Sequence, residues 1–172
     1  MAGPDKHPQA EHNPVTEQLR TAFLVASYGT PDERFRLAVR PGGPCRLFAP
    51  GEHWAILTAH NRHGVRQDAG QNERQQRQLE LDLSGFDCQR AVNGEGEWAE
   101  ASVLARAITL RQALDLGRRH GQAAVLWGSG QRAALVWCRP PSVPGPSGLP
   151  ARAERFWVCL SERETARSVS GQ

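Results

Sequence analysis

The sequence predicts an α+β domain in which an antiparallel sheet carries two helices on one face. A ferredoxin-like βαββαβ order is preceded in this prediction by an N-terminal helix and strand. Two observations indicate the elements: apolar residues recur at helical spacing in some segments, and short apolar or alternating runs of strand length lie between them. A third gives the order, because from residue 54 onward the segments follow one another as strand, helix, strand, strand, helix and strand.

The N-terminal part of the domain is predicted to form one helix and one strand. Residues 15–28 carry apolar side chains at three- and four-residue spacing, namely Leu19, Ala22, Phe23 and Ala26. Gly29 and Pro31 are expected to end this helix. Residues 34–40 then alternate between polar and apolar side chains, which is typical of a half-buried strand.

The first half of the βαββαβ order lies in residues 54–92. Residues 54–59 form a continuous apolar run that predicts a buried central strand. Residues 72–83 predict a helix whose exposed positions are mostly Gln and Glu, and a Ser-Gly pair follows it as a C-terminal cap. Residues 86–92 predict a short strand beside the first one.

The second half begins with an Asn-Gly-Glu-Gly turn at 93–96, which predicts a hairpin because two of its residues suit positive φ angles. Thr109 and Gln112 fit a capping box, so the second helix is expected to begin there and to end at Gly121. The predicted strands of this half are residues 98–107, 123–127 and 133–138.

One domain accounts for most of the chain. Residues 1–14 hold three prolines and almost no large apolar side chain, so we expect a disordered tail. We expect residues 15–138 to form a single α+β domain. Residues 139–151 hold five prolines and predict a mobile loop. Residues 152–172 predict a polar tail with one possible edge strand, at 156–160.

Composition excludes some function classes. The chain has 172 residues, of which 39% are hydrophobic, and no apolar run reaches the length of a membrane-spanning helix. The N-terminus also lacks the apolar segment of a signal peptide, so we expect a cytoplasmic protein with no membrane partner. The formal net charge is +3, but the arginines are interleaved with 18 acidic residues. Nucleic acid is therefore the less favoured partner.

Cysteine and histidine spacing predicts neither a metal site nor a cofactor. The four cysteines form no C-x-x-C pair and are expected to be reduced thiols. His60 and His63 form an H-x-x-H pair, yet no well-spaced Cys, Asp or Glu completes a ligand set. We therefore interpret both as surface histidines.

Polar residues converge on one rim of the predicted sheet. In the predicted topology, the end of strand 54–59, the start of the first helix and the hairpin at 93–96 all lie at this rim. The residues concerned are Asn61, Asn72, Glu100, Ser102 and Gln122. Half-buried amides, hydroxyls and carboxylates need hydrogen-bond partners, so these side chains either hold the loops rigid or line a polar pocket.

Four blocks of the chain resemble a known family. They are Leu57-Thr58-Ala59-His60-Asn61, Gln71-Asn72-Glu73, Trp98-Ala99-Glu100-Ala101-Ser102, and residues 117–127. The family is a set of small bacterial proteins known only as a domain of unknown function, and the resemblance spans roughly residues 50–138. It implies a bacterial cytosolic domain and no particular activity. His60 and Arg62 stand where the family usually has an aromatic residue and a proline.

Three functional hypotheses follow from these observations. The first is a binding module whose unknown small-molecule or protein ligand sits at the rim. The second is a hydrolase or transferase that uses Glu100 as general acid or base, with His60 as a further catalytic candidate. The third is a weak nucleic-acid binder that uses its arginines.

Overall fold

The structure is a computed structural model, and it describes residues 17–138 and 153–160. The predicted tail at 1–14, the proline-rich loop at 139–151 and the polar tail after residue 160 lie outside the described residues. The helices are α1 (Glu17–Val25), α2 (Ala69–Asp82) and α3 (Leu110–Arg119), with short 3₁₀ turns at Arg62–Gly64 and Gly96–Trp98.

A single antiparallel sheet holds the strands of the described residues. They are β1 (Ser27–Gly29), β2 (Arg34–Ala38), β3 (His53–Leu57), β4 (Asp87–Asn93), β5 (Glu100–Arg106), β6 (Ala124–Ser129), β7 (Arg132–Trp137) and β8 (Ala153–Leu160). The strand order is β1-β2-β8-β7-β6-β3-β5-β4, and every neighbouring pair is antiparallel.

The sheet curls until its two outer strands meet, so that it is nearly a barrel. The backbone N–H of Gly94, which follows β4, donates to the carbonyl of Ser27 in β1 across 2.8 Å. The guanidinium of Arg34 donates to the carbonyls of both Ser27 and Gly94, at 2.9 and 2.7 Å. These contacts bridge the gap between the edge strands.

Side chains on both faces of the sheet are buried. Along β3, Ala55 and Leu57 pack into a cluster with Leu79 of α2 and other side chains from the helix-bearing face. Trp54 and Ile56, which point the other way, join a second cluster built around aromatic rings. The rings of Tyr28, Phe35, Phe48 and Trp54 contact one another in that second cluster. Both layers therefore remove apolar surface from water.

The predicted ferredoxin-like arrangement, a sheet with two helices on one face, was wrong. A ferredoxin-like sheet with two helices on one face leaves its other face open, whereas here eight strands curl around a second core and three helices are present. The prediction failed because sequence periodicity does not report pairing between distant segments. Phe35 of β2, for example, pairs with Leu160 of β8.

The expectation of an edge strand at 156–160 was also wrong. This segment is part of β8, which lies between β2 and β7. By pairing with both neighbours, β8 joins β7 to the N-terminal strands β2 and β1 in one sheet. Val158 of β8 is buried in the second core. Burying this side chain stabilises β8 between its two neighbouring strands.

Local capping positions the helices that frame the site. Helix α2 begins at Ala69, three residues before the predicted start, because the Asp68 side chain accepts a hydrogen bond from the backbone N–H of Gln71. Helix α3 begins as predicted after a complete capping box between Thr109 and Gln112.

Candidate functional site

A cavity of about 330 Å³ lies where the chain leaves β3, enters α2 and approaches β5. Strands β3 and β5 are antiparallel neighbours, with Leu57 paired to Val103, so the end of one lies beside the start of the other. Side chains from the 58–68 loop, the first turn of α2 and the 96–100 segment surround the space. The lining residues are His60, Asn61, Arg66, Gln67, Ala69, Asn72, Glu73, Glu97, Trp98, Ala99 and Glu100.

Asn61 is the hub of the hydrogen bonds at this cavity. Its side-chain Nδ2 donates to Oε1 of Glu100 across 2.5 Å, which ties the end of β3 to the start of β5. Its Oδ1 accepts from the backbone N–H of Gln67 at 3.0 Å and from Nδ2 of Asn72 at 3.3 Å. Its backbone is left-handed, with φ of 49°, a conformation that asparagine tolerates better than most residues.

Asn72 fixes the loop to helix α2. It is buried, and its Oδ1 accepts from the backbone N–H of Asn61 at 2.9 Å. Its Nδ2 also donates to the carbonyl of Gln67 at 3.4 Å. Both polar atoms of the Asn72 amide thus have partners inside the site, which makes the wall of the cavity rigid.

Carboxylates dominate the charge of the cavity. Glu73, Glu97 and Glu100 line it, and Arg66 is the one Lys or Arg among the described lining residues. Three negative charges against one positive charge leave a formal charge of −2. The half-buried His60 adds little positive charge at neutral pH, because burial lowers the pKa of its imidazole, although the Glu100 and Glu73 carboxylates oppose that shift.

An exposed indole forms one wall of the cavity. Trp98 is 73% exposed, which is unusual for so large an apolar side chain. The guanidinium carbon of Arg66 lies 5.7 Å from the centroid of its ring, a cation–π distance. Trp98 sits at the end of the turn that contains Gly94 and Gly96, both with positive φ angles.

The structure brings together four of the six residues that the sequence analysis named. His60, Asn61, Asn72 and Glu100 line the cavity, whereas Ser102 and Gln122 do not. The Ser102 hydroxyl is buried and donates to the carbonyl of Glu100 at 3.3 Å.

Gln122 instead forms hydrogen bonds with the backbone at the end of β3. Its Nε2 donates to the carbonyl of Thr58, and its Oε1 lies 3.4 Å from the backbone N–H of the same residue. A side chain that satisfies both backbone groups of one residue holds the strand end in place. Its observed contacts are therefore structural.

Five lining residues with polar or aromatic side chains were not anticipated. They are Arg66, Gln67, Glu73, Glu97 and Trp98. For Trp98, the neighbouring Gly-Glu-Gly turn was the signal available, because it puts this residue on a loop.

The described residues offer no group of three or more His, Cys, Asp or Glu side chains arranged to hold a metal ion. Within the same part of the chain, no helix is both long enough and apolar enough to cross a membrane. The fold and site therefore define an antiparallel α+β domain with a polar, acidic cavity at one end of its sheet.

Comparison with protein families adds one finding. Residues 57–125 match the model of a family described as "Protein of unknown function (DUF3293)". This match confirms the resemblance to a domain of unknown function, and it contains every polar rim residue named from the sequence. Neither curated proteins nor solved structures give a match to the chain.

Proposed function

We propose that this protein is a binding module that holds a small polar molecule in the cavity beside Asn61. The observation that carries the proposal is a cavity of about 330 Å³ whose polar wall is fixed by the Asn61 hydrogen bonds. Small-molecule sites usually enclose ~300–1,000 Å³, so the space suits a compact ligand. A preorganised wall lowers the entropic cost of binding.

Binding is favoured over catalysis by the surroundings of Glu100. One oxygen of this carboxylate accepts the Asn61 amide, and the described residues offer no hydrogen bond between Glu100 and the His60 imidazole. The described lining residues also include no Ser, Thr or Cys that could act as a nucleophile. The acidic lining disfavours phosphate as well, which argues against nucleic acid in this cavity.

A ligand screen tests the proposal directly. The full-length protein is mixed with a library of small anionic, neutral and cationic polar molecules, and binding is followed by saturation-transfer NMR. We expect at least one compound whose signal disappears in a Glu73→Gln, Trp98→Ala double variant. Both positions are exposed, so these substitutions should leave the fold intact.

Glu80→Gln is the matched control for the charge change. Glu80 is an exposed residue of α2, two turns beyond Glu73, and does not line the cavity. Its substitution should leave the signals of bound compounds unchanged. Compounds that bind all three proteins equally would place binding elsewhere and would contradict the proposal, as would a library without hits.

A further inference from the structure

We infer that the molecule bound in this cavity is a small organic cation whose charged group lies on the indole of Trp98, where the Arg66 guanidinium lies in the structure. This inference rests on the proposed function and adds the chemical class of the ligand. It combines three features of the cavity: an exposed aromatic face, unneutralised carboxylates and a cation of the protein already in place.

The aromatic face is suited to a cation. The π face of an indole carries negative partial charge and attracts ammonium and guanidinium groups within about 6 Å. Trp98 is 73% exposed, so its ring remains accessible beside the cavity. The guanidinium carbon of Arg66 lies 5.7 Å from the ring centroid, which shows that the face already accepts this kind of group.

The carboxylates supply the second feature. Among the described residues, no ion pair neutralises Glu73, Glu97 or Glu100. The hydrogen bond from Asn61 to Glu100 comes from a neutral amide and leaves the negative charge in place. All three carboxylates line the cavity, so a bound cation would be attracted by a lining of net negative charge.

Arg66 supplies the third feature. It is exposed on the loop before α2, and within the described residues its side chain interacts only with the indole of Trp98. An exposed cation–π contact contributes only ~0.5–1 kcal/mol, so a ligand can displace it at little cost. Arg66 therefore behaves as an internal competitor for a cationic ligand.

The alternative hypothesis is an anionic ligand, held by Arg66 and by the N-terminal end of α2. The structure argues against it, because Asp68 already caps that helix end and places a carboxylate there. An anion in the cavity would also be repelled by the three glutamates.

The test uses butylguanidinium and butylurea, two probes of similar shape of which only the first is charged. Each is titrated into the full-length protein while the indole N–H signal of Trp98 is followed by ¹H–¹⁵N NMR. Five tryptophans are present, so a Trp98→Phe variant assigns the signal. We expect butylguanidinium to shift it with a Kd on the order of 1 mM, and butylurea to have no effect at that concentration.

Variants of Arg66 distinguish a cationic from an anionic ligand, because they should change the Kd in opposite directions for the two. Arg66→Gln removes the competitor and one positive charge, so it should tighten butylguanidinium binding about threefold, whereas Arg66→Lys should stay near the unmodified protein. Glu73→Gln should weaken binding by about threefold. Glu80→Gln should leave the Kd unchanged.

The outcomes that overturn the inference differ from those that overturn the proposed function. Equal effects of butylguanidinium and butylurea, or weaker cation binding in Arg66→Gln, contradict a cationic ligand. Butanoate shifting the Trp98 signal, with loss of that shift in Arg66→Gln, would also contradict it while preserving a small-molecule site. If no probe and no library compound of any charge binds through Trp98 and Glu73, both proposals fail.

Discussion

The side-chain amide of Asn61 donates to the carboxylate of Glu100 across 2.5 Å, and this contact joins the end of strand β3 to the start of strand β5. The same asparagine holds a left-handed backbone, with φ of 49°, in the loop that leads to helix α2. Backbone conformation and hydrogen bonding at one residue thus determine the shape of the cavity wall. The two contributions can be separated by substitution.

Replacing Asn61 with alanine removes its side-chain hydrogen bonds and leaves an unfavourable left-handed residue. We expect Asn61→Ala to lower the free energy of unfolding by about 2–3 kcal/mol, measured by urea denaturation. Asn61→Gly loses the same hydrogen bonds but tolerates the backbone, so its loss should be ~1 kcal/mol smaller. Equal losses in the two variants would show that the left-handed conformation contributes nothing.

Ala107 offers a test of backbone strain away from the cavity. It is an exposed residue with φ of 54°, directly after β5. Ala107→Gly should raise the free energy of unfolding by up to ~1 kcal/mol, because glycine adopts this conformation without a steric penalty. Ala99→Gly is the control, since Ala99 is exposed with φ of −70° and should be destabilised instead. Destabilisation of both variants would contradict the argument.

Local signals predicted several parts of the molecule well. The capping box at Thr109 reports only on neighbouring residues, so the sequence suffices to place the start of α3. The polar residues that follow β3 and open α2 were likewise visible, and Asn61 and Asn72 do meet in space. In these cases, chain proximity or a single strand–helix connection brings the groups together.

Pairing between strands that are distant in the sequence could not be predicted from such local signals. The predicted strand at 123–127 stops one residue before Gly128, yet this glycine belongs to β6, where Trp54 is its partner across the sheet. A Cβ atom at Gly128 would lie 2.3 Å from Cζ2 of Trp54, so the glycine makes room for the indole. That reason exists only once β3 and β6 are paired. For Trp98, the Gly-Glu-Gly turn places the residue on a loop, but its exposure also depends on which segments pack against that loop in the folded chain.

The pair of Asp82 and His120 predicts acid sensitivity. His120 Nε2 lies 2.9 Å from Oδ2 of Asp82, joining the ends of α2 and α3, and this hydrogen bond holds the pKa of Asp82 below its ordinary value of 3.8. Because the pKa of Asp82 is lower in the folded state than in the unfolded state, its ionised carboxylate stabilises the fold at pH values above about 3.8. That stabilisation is lost as the pH falls from about 3.8 through the pKa of the folded state.

Asp82→Asn should therefore be less stable than the unmodified protein at pH 7, and the difference should shrink as the pH falls below 4. Thermal unfolding at pH 7, 5 and 3.5 measures this difference directly. Asp115→Asn is the control, because Asp115 is exposed and its pairs with Arg111 and Arg118 are long, at 4.0 and 3.8 Å. A pH-independent difference for Asp82→Asn would contradict the assigned role.

His60 reports on the electrostatics of the cavity itself. Burial lowers its pKa below the ordinary 6.5, while the Glu100 carboxylate raises it. We expect the C2–H signal of His60, assigned with a His60→Gln variant, to titrate below pH 6.5 in ¹H NMR. Glu100→Gln should lower that pKa further, because it removes a charge that favours imidazolium, and Glu73→Gln should lower it by less. Glu80→Gln should not change it. A higher His60 pKa in Glu100→Gln would show that the carboxylate does not act on the imidazole across this cavity.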